Sequence, residues 1–301
     1  MTSTQATVPL SGTGAAIGPS TPARRRRSQG LQILRNPIGI CGAIIVLATI
    51  VAAVAAPLLA HYDPASQAAR RLLPPSTDHF FGTDQLGRDT FSRIVYGARV
   101  SLEVGIVAVG IALIVGCVLG IVCGFYGGRL DDLLMRLVDV MSAFPSLVLA
   151  IVIAGLVGPS RNTAMVAIGV VYAPAFARVV RGAVLAVRAE PYMESARVVG
   201  AQDWRMIRYH VLPNILAPLI VLVSVYLSQA ILSEAALSFL GLGTQPPEPS
   251  WGGMLSEARQ YMQLSPWMAI FPGFMIMLAV MGFNFLGDGL RDVLDPRLRS
   301  I

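Results

Sequence analysis

The stretch EPYMESARVVGAQDWRMIRYHVLP, residues 190–213, separates two apolar segments. It is polar and carries Arg197, Arg205 and Arg208. A plain connector between helices could be shorter. This one reads as two short helices with a hinge. Pro191 sits where a first helical turn accepts proline, and Glu194 lies in the positive field of that N-terminus. Gly200 suits the left-handed position just past a helix end. Asp203 reads as the N-cap of a second helix, which Leu212-Pro213 would close. So organised an island suits a docking surface at a membrane face.

The apolar flanks extend this reading to the whole chain. Its 301 residues are 54% hydrophobic and 13% charged, with a mean hydropathy of +0.65. Soluble domains carry roughly 25% charged residues. Six segments are expected to span a bilayer: about 37–60, 100–124, 133–157, 164–180, 215–240 and 267–287. A spanning helix needs about 20 mostly apolar residues, so the fourth fits only tightly. The segments are apolar all round and lack the polar face of a surface helix. The expected class is therefore an all-α polytopic membrane protein. Residues 31–301 form its membrane domain, and residues 1–30 form a disordered tail poor in large apolar side chains. The first segment is too long for a signal-peptide core and is expected to be retained.

Orientation follows from arginine, because the chain contains no lysine. With the N-terminus inside, 16 of the 23 arginines fall on the inner side of six alternating spans. That bias predicts both termini, and residues 190–213, in the cytoplasm. The net charge of +6 is then mostly a topology signal. Arg24–Arg27 flanks the first span and is expected to meet anionic lipid; nucleic acid is not expected as a partner.

The chain's own chemistry is sparse. A phosphate-cradling loop of the G-x-x-x-x-G-K-[ST] type is impossible without lysine. His61, His79 and His210 all lie outside the spans and form no metal-binding pair, so no metal site is expected. Cys41, Cys117 and Cys123 fall within spans. The last two are six apart and do not share a helix face, so packing is expected rather than a disulfide. No catalytic residue is expected. Ion-coupled carriers use several intramembrane ionisable groups, whereas here only Glu234 lies well inside a span. It is expected to line a path or to hydrogen-bond between helices. Asp139 and Arg136 share a helix face three residues apart and are expected to pair locally. Ser250 is expected to cap a short helix reaching Tyr261. The stretch containing Asp84, Arg88 and Asp89 is expected to hold turns and local Arg–Asp pairs, since its spacing is wrong for a calcium loop.

At this point the residues resemble a family. Glu194-Ser195-Ala196, Gly200 and His210-Val211-Leu212-Pro213 are similar to the EAA loop of bacterial ABC importer permeases, E-A-A-x3-G-x9-I-x-L-P. Ser195 and His210 depart from that pattern. Further blocks resemble the peptide/nickel-type permeases: Phe81–Asp89 with Ser92-Arg93 and Tyr96-Gly97; Gly127–Asp131; Leu237–Gly243; Pro246-Pro247 with Trp251-Gly252; and Gly287–Asp292 with Leu294-Asp295-Pro296. Within that family the chain looks like the C-type partner of a B/C permease pair.

The resemblance implies a type I ABC importer permease fold and an ATP-driven importer of di- or oligopeptides in the bacterial inner membrane. It implies four kinds of partner: a B-type permease, two ATP-binding subunits, an extracytoplasmic substrate-binding protein and membrane lipid. ATP and magnesium would sit in the ATPases, and this chain would bind no cofactor. The expected coupling residues are Glu194, Ser195, Ala196, Arg197, Gly200, Ala201, Asp203, Trp204, Leu212 and Pro213. A stand-alone secondary carrier, or a permease of the same family for nickel or another small solute, stays open as an alternative.

Overall fold

The structure is a computed structural model in which residues 36–67 and 69–294 are described. The expected disordered tail, Arg24–Arg27 and Asp295-Pro296 lie outside the described residues. The elements run α1 Pro37–Val54, α2 Ala56–Leu59, α3 Thr90–Tyr126, α4 Gly128–Ser142, α5 Ser146–Val157, α6 Arg161–Arg188, α7 Pro191–Val198 and α8 Asp203–Met206. A π-helical turn, Ile207–Val211, then leads into α9 Leu212–Phe239, followed by α10 Trp251–Ala258 and α11 Trp267–Leu294. Among the described residues five helices are long and apolar enough to cross a membrane; α4 and α5 make a sixth crossing if they count as one broken span. The chain is thus an all-α polytopic membrane protein.

Three of the expected spans change shape. The second starts at Thr90 rather than near 100, because Asp89 caps it by accepting the Ser92 N–H. Its 37 residues reach about 55 Å, well beyond a hydrocarbon core of roughly 30 Å. The third is not one helix. Pro145 follows Ala143-Phe144, supplies no N–H and disfavours helical geometry before it, and α5 leaves α4 at 90°. The fourth is longer than expected, at 28 residues. Its flanking arginines sit inside the helix because carboxylates meet them: Arg161 lies 3.4 Å from both Glu103 and Glu248, and Arg181 bonds Asp131 through two contacts of 2.6 Å.

Small residues set the closest helix packing. Gly116, Gly120 and Gly124 form a stripe on α3, where a Cβ would run into Phe176, Ala177 and Val184 of α6. Gly39 and Gly42 play the same part for α1 against α11. Without a hydrophobic drive between helices in lipid, such close backbone approach supplies the packing energy. Asn36 locks this second pair at one end: its side chain caps α1 and donates to Asp292 at 2.6 Å.

Candidate functional site

The loop at residues 190–213 is built from local backbone demands. Glu190 is the N-cap of α7, Pro191 occupies the first turn, and Glu194 is the acidic residue in that turn. The helix ends in a Schellman closure: Gly200 N–H bonds the Arg197 carbonyl at 2.9 Å, and Ala201 N–H bonds that of Ala196 at 3.0 Å. Gly200 takes φ +82°, and a Cβ there would meet nothing within 4 Å, so the demand within the chain is conformational.

Two details correct the sequence reading. Gln202, not Asp203, is the N-cap of α8; Asp203 sits one position later, still in the first turn, and neither makes a side-chain cap bond. Nor does Leu212-Pro213 close the second helix. The Leu212 N–H reaches back to Ile207 in a π-type bond, and the chain runs on into α9. The widened turn accommodates Pro213, which has no N–H to give the regular ladder.

The loop has two faces. Met193, Met206 and Val211 are buried as anchors in the bundle core. Ala196, Ala201 and Leu212 pack against that core, so they support the loop rather than form its outer surface. The Arg197 guanidinium lies 6.0 Å from the Phe125 ring centroid. Glu194, Ser195, Arg197, Gly200, Asp203, Trp204 and Pro213 are exposed. So are two residues the sequence reading passed over: Val198 at 84% and Val199 at 87%, beside Trp204 at 66%. A signal for them existed. Counting three from Met193 puts Ala196 inward and leaves Val198 and Val199 on the opposite face.

Glu234 lies far from this loop, fully buried. It accepts from Ser101 on α3 at 3.2 Å and from Ser238 on its own helix at 2.7 Å. The geometry is that of an interhelical hydrogen-bonding group. Asp139 does not pair with Arg136; its nearest cation is Arg178 of α6, at 3.7 Å. The two helices lie side by side, and the partner across the gap replaces the one along the helix. Among the described residues no three His, Cys, Asp or Glu side chains gather as a metal site.

Residues 81–97 and 250–257 are clamped together at the end of the bundle remote from residues 190–213. Arg88 bonds Asp84 through Nε at 2.5 Å and Glu257 through Nη2 at 2.7 Å. Arg93 reaches the same Glu257 oxygen at 3.0 Å. The Trp251 indole donates to the Ile94 carbonyl at 3.0 Å. The Asp84–Arg88 pair is local, as its spacing suggests. Glu257 was missed, and nothing in the intervening sequence signals it. Ser250 does cap α10, accepting from Gly253 N–H, but the helix ends at Ala258 rather than Tyr261.

Comparison with known proteins matches this architecture. Residues 116–300 match the family described as binding-protein-dependent transport system inner membrane component. Residues 30–75 match the N-terminal transmembrane domain of oligopeptide transport permease C. The dipeptide transport system permease protein DppC of Alkalihalophilus pseudofirmus is 50% identical over 270 residues, covering 89% of each chain. The probable D,D-dipeptide transport system permease protein DdpC of Escherichia coli is 41% identical, covering 96% of this chain and 97% of its own. The glutathione transport system permease protein GsiD of Pectobacterium atrosepticum is 43% identical over 89% of this chain and 90% of its own. Among solved structures, an inward-facing form of the MetNI methionine ABC transporter shares the fold, with a TM-score of 0.56 at 19% identity over 67% of this chain and 96% of that one. The chain belongs to the family of binding-protein-dependent ABC transport permeases of the inner membrane, in its oligopeptide permease C branch.

Proposed function

We propose that this permease carries short peptides inward under ATP drive, and that residues 190–213 are where a cytoplasmic ATPase grips it. The observation that carries the coupling role is the loop's construction. Two short helices stand on buried Met193 and Met206, and Val198, Val199 and Trp204 face outward. Isolated apolar side chains on a surface need no partner, but three together on an anchored loop make a seat for one. Glu194, Arg197 and Asp203 supply charges around it for pairing across the contact. The peptide cargo is supported by relatives whose names specify dipeptides, D,D-dipeptides and glutathione.

The arginine bias supports placing both termini and this loop in the cytoplasm. The partners would be a B-type permease sharing the path, two ATP-binding subunits and an extracytoplasmic binding protein. Without a lysine for a phosphate loop, the chain would not hydrolyse ATP; nucleotide and magnesium would sit in the ATPases.

The test is Gly200→Val in the assembled transporter. A β-branched residue at φ +82° disturbs the Schellman closure without touching the membrane helices. ATP-driven peptide uptake should be abolished while the chain still inserts and pairs with its permease partner. Normal uptake would remove the coupling role. Uptake by the wild type that survives ATP depletion but stops when the proton gradient collapses would favour a stand-alone carrier.

A further inference from the structure

The break between α4 and α5 opens onto a cavity of about 480 Å³. Its wall includes Ser142, Phe144, Tyr172, Arg178, Tyr226 and Gln229, drawn from the broken span, α6 and α9. Several observations set it apart from a packing defect. Irregular backbone at membrane depth is tolerated only where protein or water covers it, and Phe144 at the break lies in this wall with Ser142 and Ser146 on either side of it. A guanidinium facing hydrocarbon would be costly, and the Arg178 side chain is 48% exposed in this chain. The side of the cavity left open by this chain therefore faces an aqueous passage or a polar partner.

The lining groups are ordered. The Tyr172 hydroxyl donates to the Gln229 backbone carbonyl at 3.2 Å and is hydrogen-bonded to Ser233 Oγ at 2.7 Å. The Tyr226 ring stands edge-on to Tyr172, with centroids 4.9 Å apart. These contacts fix the two rings and leave the Gln229 side chain exposed. Arg178 is held differently from its neighbour one turn away. Arg181 makes a two-pronged bond to Asp131 at 2.6 Å, whereas Arg178 reaches Asp139 only at 3.7 Å, and the Asp139 side chain is 70% exposed. A long single contact at an exposed site is weak, and an incoming carboxylate can displace it.

We propose that this cavity is a station on the path for the C-terminal carboxylate of a peptide, with Arg178 as its anchor. The proposal rests on the peptide-import reading above. A guanidinium offers a planar fork that matches a carboxylate, and in transit the cargo's carboxylate takes the place of Asp139. The Gln229 amide can pair with the peptide's own amide groups, and Phe144 and Tyr226 offer faces for its side chains. The volume suits a small ligand of a few residues.

The test uses the complete transporter, with its binding protein, in proteoliposomes. The readout is dipeptide moved per ATP hydrolysed. Arg178→Gln should lower that ratio about ten-fold, the effect of losing a charge-assisted hydrogen bond. Co-purification of the subunits and ATPase stimulation by the loaded binding protein should persist. Arg178→Lys, which keeps the charge without the planar fork, should restore part of the ratio. Gln229→Leu, at an exposed position, should lower the ratio several-fold. The station is overturned if both Arg178→Gln and Gln229→Leu match the wild type. It is also overturned if Arg178→Lys transports less than Arg178→Gln, or if Arg178→Gln loses ATPase stimulation together with uptake. Should Arg178→Gln fail to assemble, the Gln229→Leu ratio decides alone. A wild-type complex that hydrolyses ATP but moves no dipeptide defeats the peptide reading itself, an outcome distinct from wild-type transport that the variants leave unchanged.

Discussion

The two ends of this bundle are held by opposite means. The end at residues 190–213 stands on buried apolar anchors, Met193, Met206 and Val211, and turns apolar and charged groups outward. The end at residues 81–97 and 250–257 hides its charges, with Arg88 and Arg93 closing on Asp84 and Glu257. Buried ionic contacts are demanding in geometry, and a single missing partner leaves a charge stranded in a poor dielectric. The clamp therefore fixes one arrangement of the chain. The loop is a platform whose outer side chains cost the fold little and are free to serve a contact.

The largest effect should come from breaking the clamp. Glu257→Ala leaves Arg88 and Arg93 to share Asp84 alone and should cost about 3–5 kcal/mol, read as a large fall in thermal unfolding temperature in detergent. A fall no greater than that of an ordinary surface change would erase the contrast between the ends. Gly200→Val comes next. A non-glycine residue held left-handed costs roughly 1–2 kcal/mol, confined to the loop, so faster amide exchange over residues 196–202 should accompany a small global change. The smallest stability effect belongs to Val198→Ser combined with Val199→Ser. Surface changes of this kind stay within about 0.5 kcal/mol, yet retention of the ATPase on the purified permease should weaken. Undiminished ATPase retention would mean that the exposed valines are not part of the seat.

The contrast also explains what could be read in advance. Proline and glycine make demands on their own backbone, so Pro191 and Gly200 were legible one residue at a time. The apolar runs announced the spans for the same reason. Their ends were harder. The fourth span looked short because it ends on Arg178, and only the folded chain brings Glu103 and Glu248 to Arg161 before it and Asp131 to Arg181 beyond it. The break at Pro145 was hidden because the strongly apolar Ser146–Val157 masked the more polar stretch before it, which carries Arg136 and Asp139. Glu257 could not be foreseen as the clamp's carboxylate, since 164 residues separate it from Arg93. The outward face at Val198 and Val199 was within reach of helical periodicity, but their apolar character argued for burial.

The same separation has a consequence for how the chain is made. Synthesis proceeds at about 5–20 residues per second, so Arg88 and Arg93 wait roughly 8–33 s before Glu257 exists. For that interval the first half of the protein holds two cations at the end of the nascent bundle remote from residues 190–213, with Asp84 as their carboxylate. The arrival of α10 is then the event that closes that end. A nascent chain stopped before it would be recognisable to quality control by two arginines still accessible to solvent.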